Sequence, residues 1–379
     1  MRRWLFLVAV LAGLLALAAC AEEEKATPAP TASPAAAPAA WEQEWARTLE
    51  AAKREGKVVV AGPTGAERRK ALTEPFERKY GITVEFQPFG GADFGTRLRA
   101  ERDAGQYLWD IFVGGTTTQV SVLFPMGAME PVEPALLLPE VKETKNWREG
   151  KLLFVKEKER MGVVMGIGSS EEMFVNSNLV NLAEFKSYRD LLDPKWKGKI
   201  VVGRDPRVAG PGQGSFQFFY VHPNLGPDFV RSLLKHDIAI LADDRQALTW
   251  LAEGRYSIII GVSESLIREF MDKGLPIKAV DVRQLREGSH VSPGASAVTL
   301  LNRAPHPNAA KVYLNWLLSK ETQTEWSKAE QLASWRTDVP TDFLDPWIVP
   351  QPGYIHLYGE KEIDTKQAFL AFLKEVLGQ

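Results

Sequence analysis

"KVVVAGPTGAERRKALTEPFERKYGITVEF", residues 57–86, switches its structural period twice. "KVVVA" (57–61) is a short β-branched run bounded by turn residues, which reads as a buried strand. "GPTG" breaks it. "AERRKALTEPFERKY" (66–80) has helical composition, with Pro75 expected to end or kink its first part. "ITVEF" (82–86) is the next strand. Beyond it, "DFGTRLRAERDAG" reads as a helix and "WDIFV" (109–113) as a third strand. Two consecutive βαβ units predict a parallel sheet with helices on its faces.

The pattern restarts at "GKIVVG" (198–203). "IAILAD" (238–243), "DRQALTWLAEG", "YSIII" (256–260), "SESLIREFMDKG" and "IKAVDV" (277–282) continue strand, helix, strand, helix, strand. "ASAVTLLN" (295–302) is a further strand, and 308–319 a helix announced by "APHPN". The segment "EEMFVNSNLV" (171–180) lies between the two series and is expected to carry a crossing strand. No short fixed period repeats, which excludes a solenoid. The expected fold class is α/β, in two lobes.

The N-terminus follows other rules. Arg2 and Arg3 precede an apolar stretch, 4–16, that is too short to span a bilayer and has the proportions of a signal peptide. Cys20 is the chain's only cysteine and follows Leu17, Ala18 and Ala19. Small residues before a cysteine resemble the bacterial lipobox, in which the thiol is lipidated and becomes the new N-terminus. "AEEEKATPAPTASPAAAPAA" (21–40) has no large apolar side chain to offset its ordering entropy, and its prolines extend it. It reads as a disordered tether. The expected organisation is a signal peptide at 1–19, a lipid-anchored tether at 20–40, one lobe from 41–165 plus 283–335, and a second from 166–282 plus 336–379.

The 46 basic and 48 acidic residues argue against a nucleic-acid surface. With no cysteine past position 20 there is no disulfide and no thiolate metal site. The five histidines (His222, His236, His290, His306, His356) show no paired metal-ligand spacing and read as surface or loop residues. Neither a metal nor a cofactor is expected.

Ligands of open α/β sheets bind outside the carboxyl ends of the strands. Four loops there combine glycine with hydroxyls: "AGPTG" (61–65), "VGGTTTQ" (113–119), "GRDPRVAGPGQGS" (203–215) and "GVSES" (261–265). Each opens a helix, whose N–H groups and dipole favour an anion. Singly, Thr64, Thr116, Ser215 and Ser263 are explained as N-caps. Together the loops favour a ligand site, with Thr64, Gly65, Gly115, Thr116, Thr117, Gly214, Ser215, Ser263, Glu264 and Ser265 as candidates. Arg204 is placed either to clamp an anion or to pair with Asp205 or a surface acid. Arg336 in "SWRTDVP" is a similar candidate. Enzyme signatures fail. "GVSES" lacks the last glycine of GxSxG, "GPGQGS" is not GxGxxG, and "MGIGSS" lacks the P-loop lysine.

One passage narrows the family. "SYRDLLDPKWKGKIVVGRDP" (187–206) resembles a passage in the substrate-binding lipoproteins of bacterial ABC importers, the group of ferric-iron, thiamine, polyamine and phosphonate binders. "FERKYGITVEF" (76–86), "FVNSNLV" (174–180) and "RTDVP" (336–340) are similar to other steps of that family. The resemblance implies a type II periplasmic-binding-protein fold: two α/β lobes, a ligand cleft and two crossing strands. It also implies a monomeric, non-enzymatic carrier that delivers a small solute to a permease and ATPase from the periplasmic face or cell surface. Iron-binding relatives place adjacent tyrosines where this chain has Val262 to Ser265, and a ferric ion needs such hard oxygen ligands. A small polar or anionic solute is therefore expected ahead of ferric iron or a polyamine, for which Asp243, Asp244, Glu264 and Trp250 would be wanted. A secreted hydrolase and a sensor lobe are the readings from other classes.

Overall fold

The computed structural model describes residues 39–208 and 210–378. The leader, Cys20 and the tether up to residue 38 lie outside the described residues.

The run of valines behaves as its composition requires. In the strand Lys57–Gly62, Val58 and Val60 enter one core with Ile111, Val113 and Val163, while Val59 and Ala61 enter another with Phe112 and Leu301. Both faces of the sheet are covered, so no polar alternation is left in the sequence. Each such side chain contributes about 1.5–3 kcal/mol on burial. From edge to edge this sheet runs Thr83–Pro88, Lys57–Gly62, Ile111–Gly114, Ala297–Leu301, Met161–Val164 and Phe154–Lys156, with Met129–Glu130 also paired to Ala297–Leu301.

A second sheet repeats the design in the order Ala239–Ile240, Ile200–Val202, Ile258–Ile260, Met173–Asn176, Ile277–Ala279. Ile200, Val202, Ile258 and Ile260 face one core, and Val201 and Ile259 the other.

The expectation of a parallel sheet is met by part of each sheet. The first three strands of each sheet are parallel, but Ala297–Leu301 and Met173–Asn176 run antiparallel to their neighbours. Connectivity is the cause. The chain leaves the first sheet at Val164, level with Ala297 and Gly114, and enters the second at Met173, level with Ile260. It returns from Ala279, which is paired with Phe174, to Ala297. Both passages join the carboxyl edges of the parallel strands. A chain arriving at that edge has only one direction in which to continue, against them.

The crossing strand is also not where the sequence placed it. Met173–Asn176, inside "EEMFVNSNLV", is an interior strand of the second sheet. The crossings are made by Gly166–Ser169 and His290–Ser292, which pair antiparallel in a small third sheet. Ala333–Ser334 and Ile355–His356 flank them. After that flanking strand the chain runs on as the helix Glu360–Leu377, and Phe369, Phe372 and Leu373 join the core of the second sheet. Of "IAILAD" only Ala239–Ile240 pairs.

Pro75 does not break its helix. Ala66–Tyr80 is one helix with Pro75 inside it. Leu72 and Phe76 on either side are fully buried, and the Phe76 ring lies 5.0 Å from Tyr313 and 5.1 Å from Trp316. That packing outweighs the proline penalty of about 3 kcal/mol. Pro75→Ala restores a donor for the carbonyl of Ala71, so it should raise the urea midpoint. The expected gain is about 1–3 kcal/mol in unfolding free energy.

Candidate functional site

Because both passages join carboxyl edges, the loops after the parallel strands of the two sheets open onto the space beside the crossing strands. Each loop leads into a helix: Ala66–Tyr80, Gly91–Asp103 and Thr116–Thr118 (continued by Gln119–Leu123) from the first sheet, and Pro211–Val221, Asp244–Ala252 and Glu264–Asp272 from the second.

The simple N-cap explanation is not what the structure has. Gly65, Gly90, Gly115 and Gly210 hold the N-cap positions of their helices, and none supplies a side-chain bond. Thr64, Thr116 and Ser215 are not at cap positions. Ser263 is, without a side-chain capping bond. Asp243, by contrast, caps its helix by accepting from the N–H groups of Arg245 and Gln246. The four glycine-capped helices therefore begin with first-turn N–H groups that no cap side chain satisfies.

Thr64 and Gly65 are exposed, Thr117 is exposed, Gly115 and Ser263 are half-buried, and Thr116 and Ser215 are buried. The side chains of Glu264 and Ser265 lie outside what is described. The return passage touches a loop from each sheet. A Cβ on Gly214 would lie 3.3 Å from His290 Nε2, and one on Gly115 would lie 3.4 Å from the Gly294 carbonyl. Three residues separate His290 from Gly294, which sits in the turn that follows the strand His290–Ser292. Gly214 and Gly115 thus border one strip of backbone. In the second sheet, backbone packs on backbone. A Cβ on Gly212 would come 2.5 Å from the Arg204 carbonyl, and Gly261 (φ 65°) lies against the Gly212 Cα. Only glycine suits the positive φ of Gly261 at that contact.

The charges on this edge are sorted. Arg207 takes Asp205 through three contacts of 2.7–3.1 Å and donates to the Gly378 carbonyl at 2.9 Å. The Arg207 guanidinium holds the Asp205 carboxyl below its usual range. Arg204 is thereby left to the loop. Its side chain is 43% exposed, and its one ion pair among the described residues is Asp244, with Nε 3.9 Å from Oδ1, beyond hydrogen-bond range.

Arg336 is placed elsewhere. Its side chain is 1% exposed, fully engaged by both oxygens of Asp338 at 2.9 Å and by the carbonyls of Leu318 and Glu140, and stacked over Trp147. It ties the chain after helix Lys320–Glu330 to the body, which is a structural duty.

The histidines also depart from expectation. His222 and His290 are buried, and His306 accompanies the buried Asp110 at 2.9 Å. Glu172, fully buried, accepts from His290 Nδ1 at 2.6 Å and from Ser289 Oγ at 2.9 Å, while its carbonyl accepts from Gly261 N at 3.3 Å. No sequence signal links Glu172 to His290, which lie 118 residues apart. A groove of about 730 Å³ between helices Ala66–Tyr80 and Lys320–Glu330 is lined by interleaved Glu67, Lys70, Glu74, Arg78, Glu321 and Lys328 and by none of the loop residues above.

Two α/β sheets whose carboxyl edges are joined by paired crossing strands define a type II periplasmic-binding-protein fold. Residues 71–352 match the model of the bacterial extracellular solute-binding protein family, and the chain belongs to that family. It is a binding protein that works outside the cytoplasm. An uncharacterized protein of Haemophilus influenzae is 23% identical over 297 residues, covering 74% of this chain and 79% of that one. Iron-bound HitA from Pseudomonas aeruginosa is similar with a TM-score of 0.59 at 17% identity, covering 85% of this chain and 99% of that one. AfuA from Actinobacillus pleuropneumoniae, solved with fructose-6-phosphate bound, is similar with a TM-score of 0.58 at 21% identity over 84% and 98% of the two chains. At these identities the likeness is one of fold.

Arg336→Met should lower the unfolding free energy by about 3 kcal/mol near neutral pH, since it removes hydrogen bonds to a charged group, and should leave solute affinity within about twofold. Arg336 lowers the Asp338 carboxyl below its usual 3.8. That contribution is present above the unfolded value and lost as pH falls through the folded one. The gap between wild type and variant in urea titrations should therefore narrow below about pH 4.

Proposed function

We propose that the chain is the lipid-anchored carrier of an ABC importer, and that it captures a small anionic or polar solute between the carboxyl edges of its two sheets. The observation that carries the solute class is the set of glycine-capped helix starts, one of which, at Gly210, lies against Arg204, whose guanidinium is not consumed by Asp205. Such N–H groups favour negative charge, and an arginine adds a bidentate donor. Gly65, Gly115, Thr116, Thr117, Gly214, Ser215 and Ser263 would line the solute. Loop 261–265 has serines and one glutamate where a ferric ion would need several anionic oxygens.

The lobes would be 41–165 plus 283–335 and 166–282 plus 336–379, closing about the crossing strands. Lipid on Cys20 and the 21–40 tether would keep the carrier beside its permease. A monomer suffices for this task.

The test is a thermal-shift panel on the full chain in detergent, with inorganic phosphate, sulfate, fructose 6-phosphate, citrate, ferric iron and spermidine. An anion at 100 times its dissociation constant should add about 2.7 kcal/mol. Arg204→Met should then weaken that anion at least tenfold. A shift with ferric iron or spermidine alone would reject the anion class.

A further inference from the structure

The two crossing passages each deliver one member of a buried pair. Glu172 closes the outgoing passage and His290 opens its partner strand. The 2.6 Å contact between His290 Nδ1 and Glu172 Oε1 fixes the ring, and with Glu172 ionised the shared proton stands on Nδ1. Ser289 Oγ on the same oxygen holds the carboxylate in place. Nε2 is then presented on the far side of the ring. It faces Gly214, in the helix Pro211–Val221 that opens on the cleft, while Phe218 of that helix supports the ring at 5.9 Å. A side chain at position 214 would press on Nε2 at 3.3 Å; glycine leaves room there.

We propose that His290 contacts the bound solute through Nε2 and that Glu172 is its positioning residue. The inference rests on the anion reading of the cleft. With Nδ1 already protonated, Nε2 becomes a donor to an anion only when the ring takes a second proton. The solute and Glu172 then hold the imidazolium between two negative groups, so capture of an anion draws one proton from solvent onto Nε2. Glu172 touches the ring directly. Glu171, Glu287, Tyr188 and Tyr354 surround the pair on neighbouring elements, with His222 beside Phe218 and with Asp281 and Arg283 beyond Tyr354. The carboxylates there outnumber the cations.

The chain has five histidines, so ring-carbon NMR of histidine-labelled full-length protein resolves the question, with His290→Gln assigning the signal. The signal is titrated from about pH 5 to 9, alone and with saturating sulfate, inorganic phosphate or fructose 6-phosphate. Thermal shift scores binding independently. With any probe that raises the melting temperature, the His290 midpoint should rise by at least one pH unit, a tenfold gain in proton affinity. In Glu172→Gln the rise should vanish. A His290 titration left unchanged by a probe that does raise the melting temperature overturns the proposal. Absence of any thermal shift with all three anions overturns the anion reading itself, and the role of His290 with it.

Discussion

Both crossing passages join carboxyl edge to carboxyl edge, and most of the architecture depends on that constraint. It makes each sheet mixed, because an incoming strand at Met173 or Ala297 must run against the parallel set. It also gathers every strand-to-helix loop of both sheets on one side. In a single doubly wound sheet those loops form one rim. Here two rims are held beside the same pair of strands, and a solute can be enclosed without any loop being unusually long.

Electrostatics on the second rim depends on a division of labour within a few residues. Asp205 and Arg207 satisfy each other and pin the C-terminal helix through Gly378. Arg204 keeps an exposed guanidinium with, among the described residues, a single distant acid, Asp244. Exposed ion pairs are individually weak, so the Asp205–Arg207 pair matters less for stability than for which arginine it leaves to the loop.

Much of this was legible in the chain because the signals are local. Val58, Val59 and Val60 declare a strand buried on both faces, and the glycine and hydroxyl loops mark the rims. Local signals failed where tertiary structure decides. Pro75 reads as a breaker, yet the burial of Phe76 and Leu72 holds the helix through it. Arg204 and Arg336 look alike in sequence, and only the position of Trp147 and Asp338 assigns one to structure. "EEMFVNSNLV" has strand composition, which says nothing about whether the strand bridges two sheets or lies inside one. Glu172 and His290 carry no mutual spacing at all, since the crossing geometry alone brings them together.

The small third sheet has a mechanical meaning. Four strands, Ala333–Ser334, Gly166–Ser169, His290–Ser292 and Ile355–His356, lie side by side at the waist of the molecule. A hydrogen-bonded ribbon resists shear and stretching within its plane but flexes out of it. Widening the waist from two strands to four suppresses sideways yaw far more than it stiffens that flexure. In the carrier proposed above, the rims would approach along one arc and resist sliding past each other, so each closure would return the same residues to the same partners.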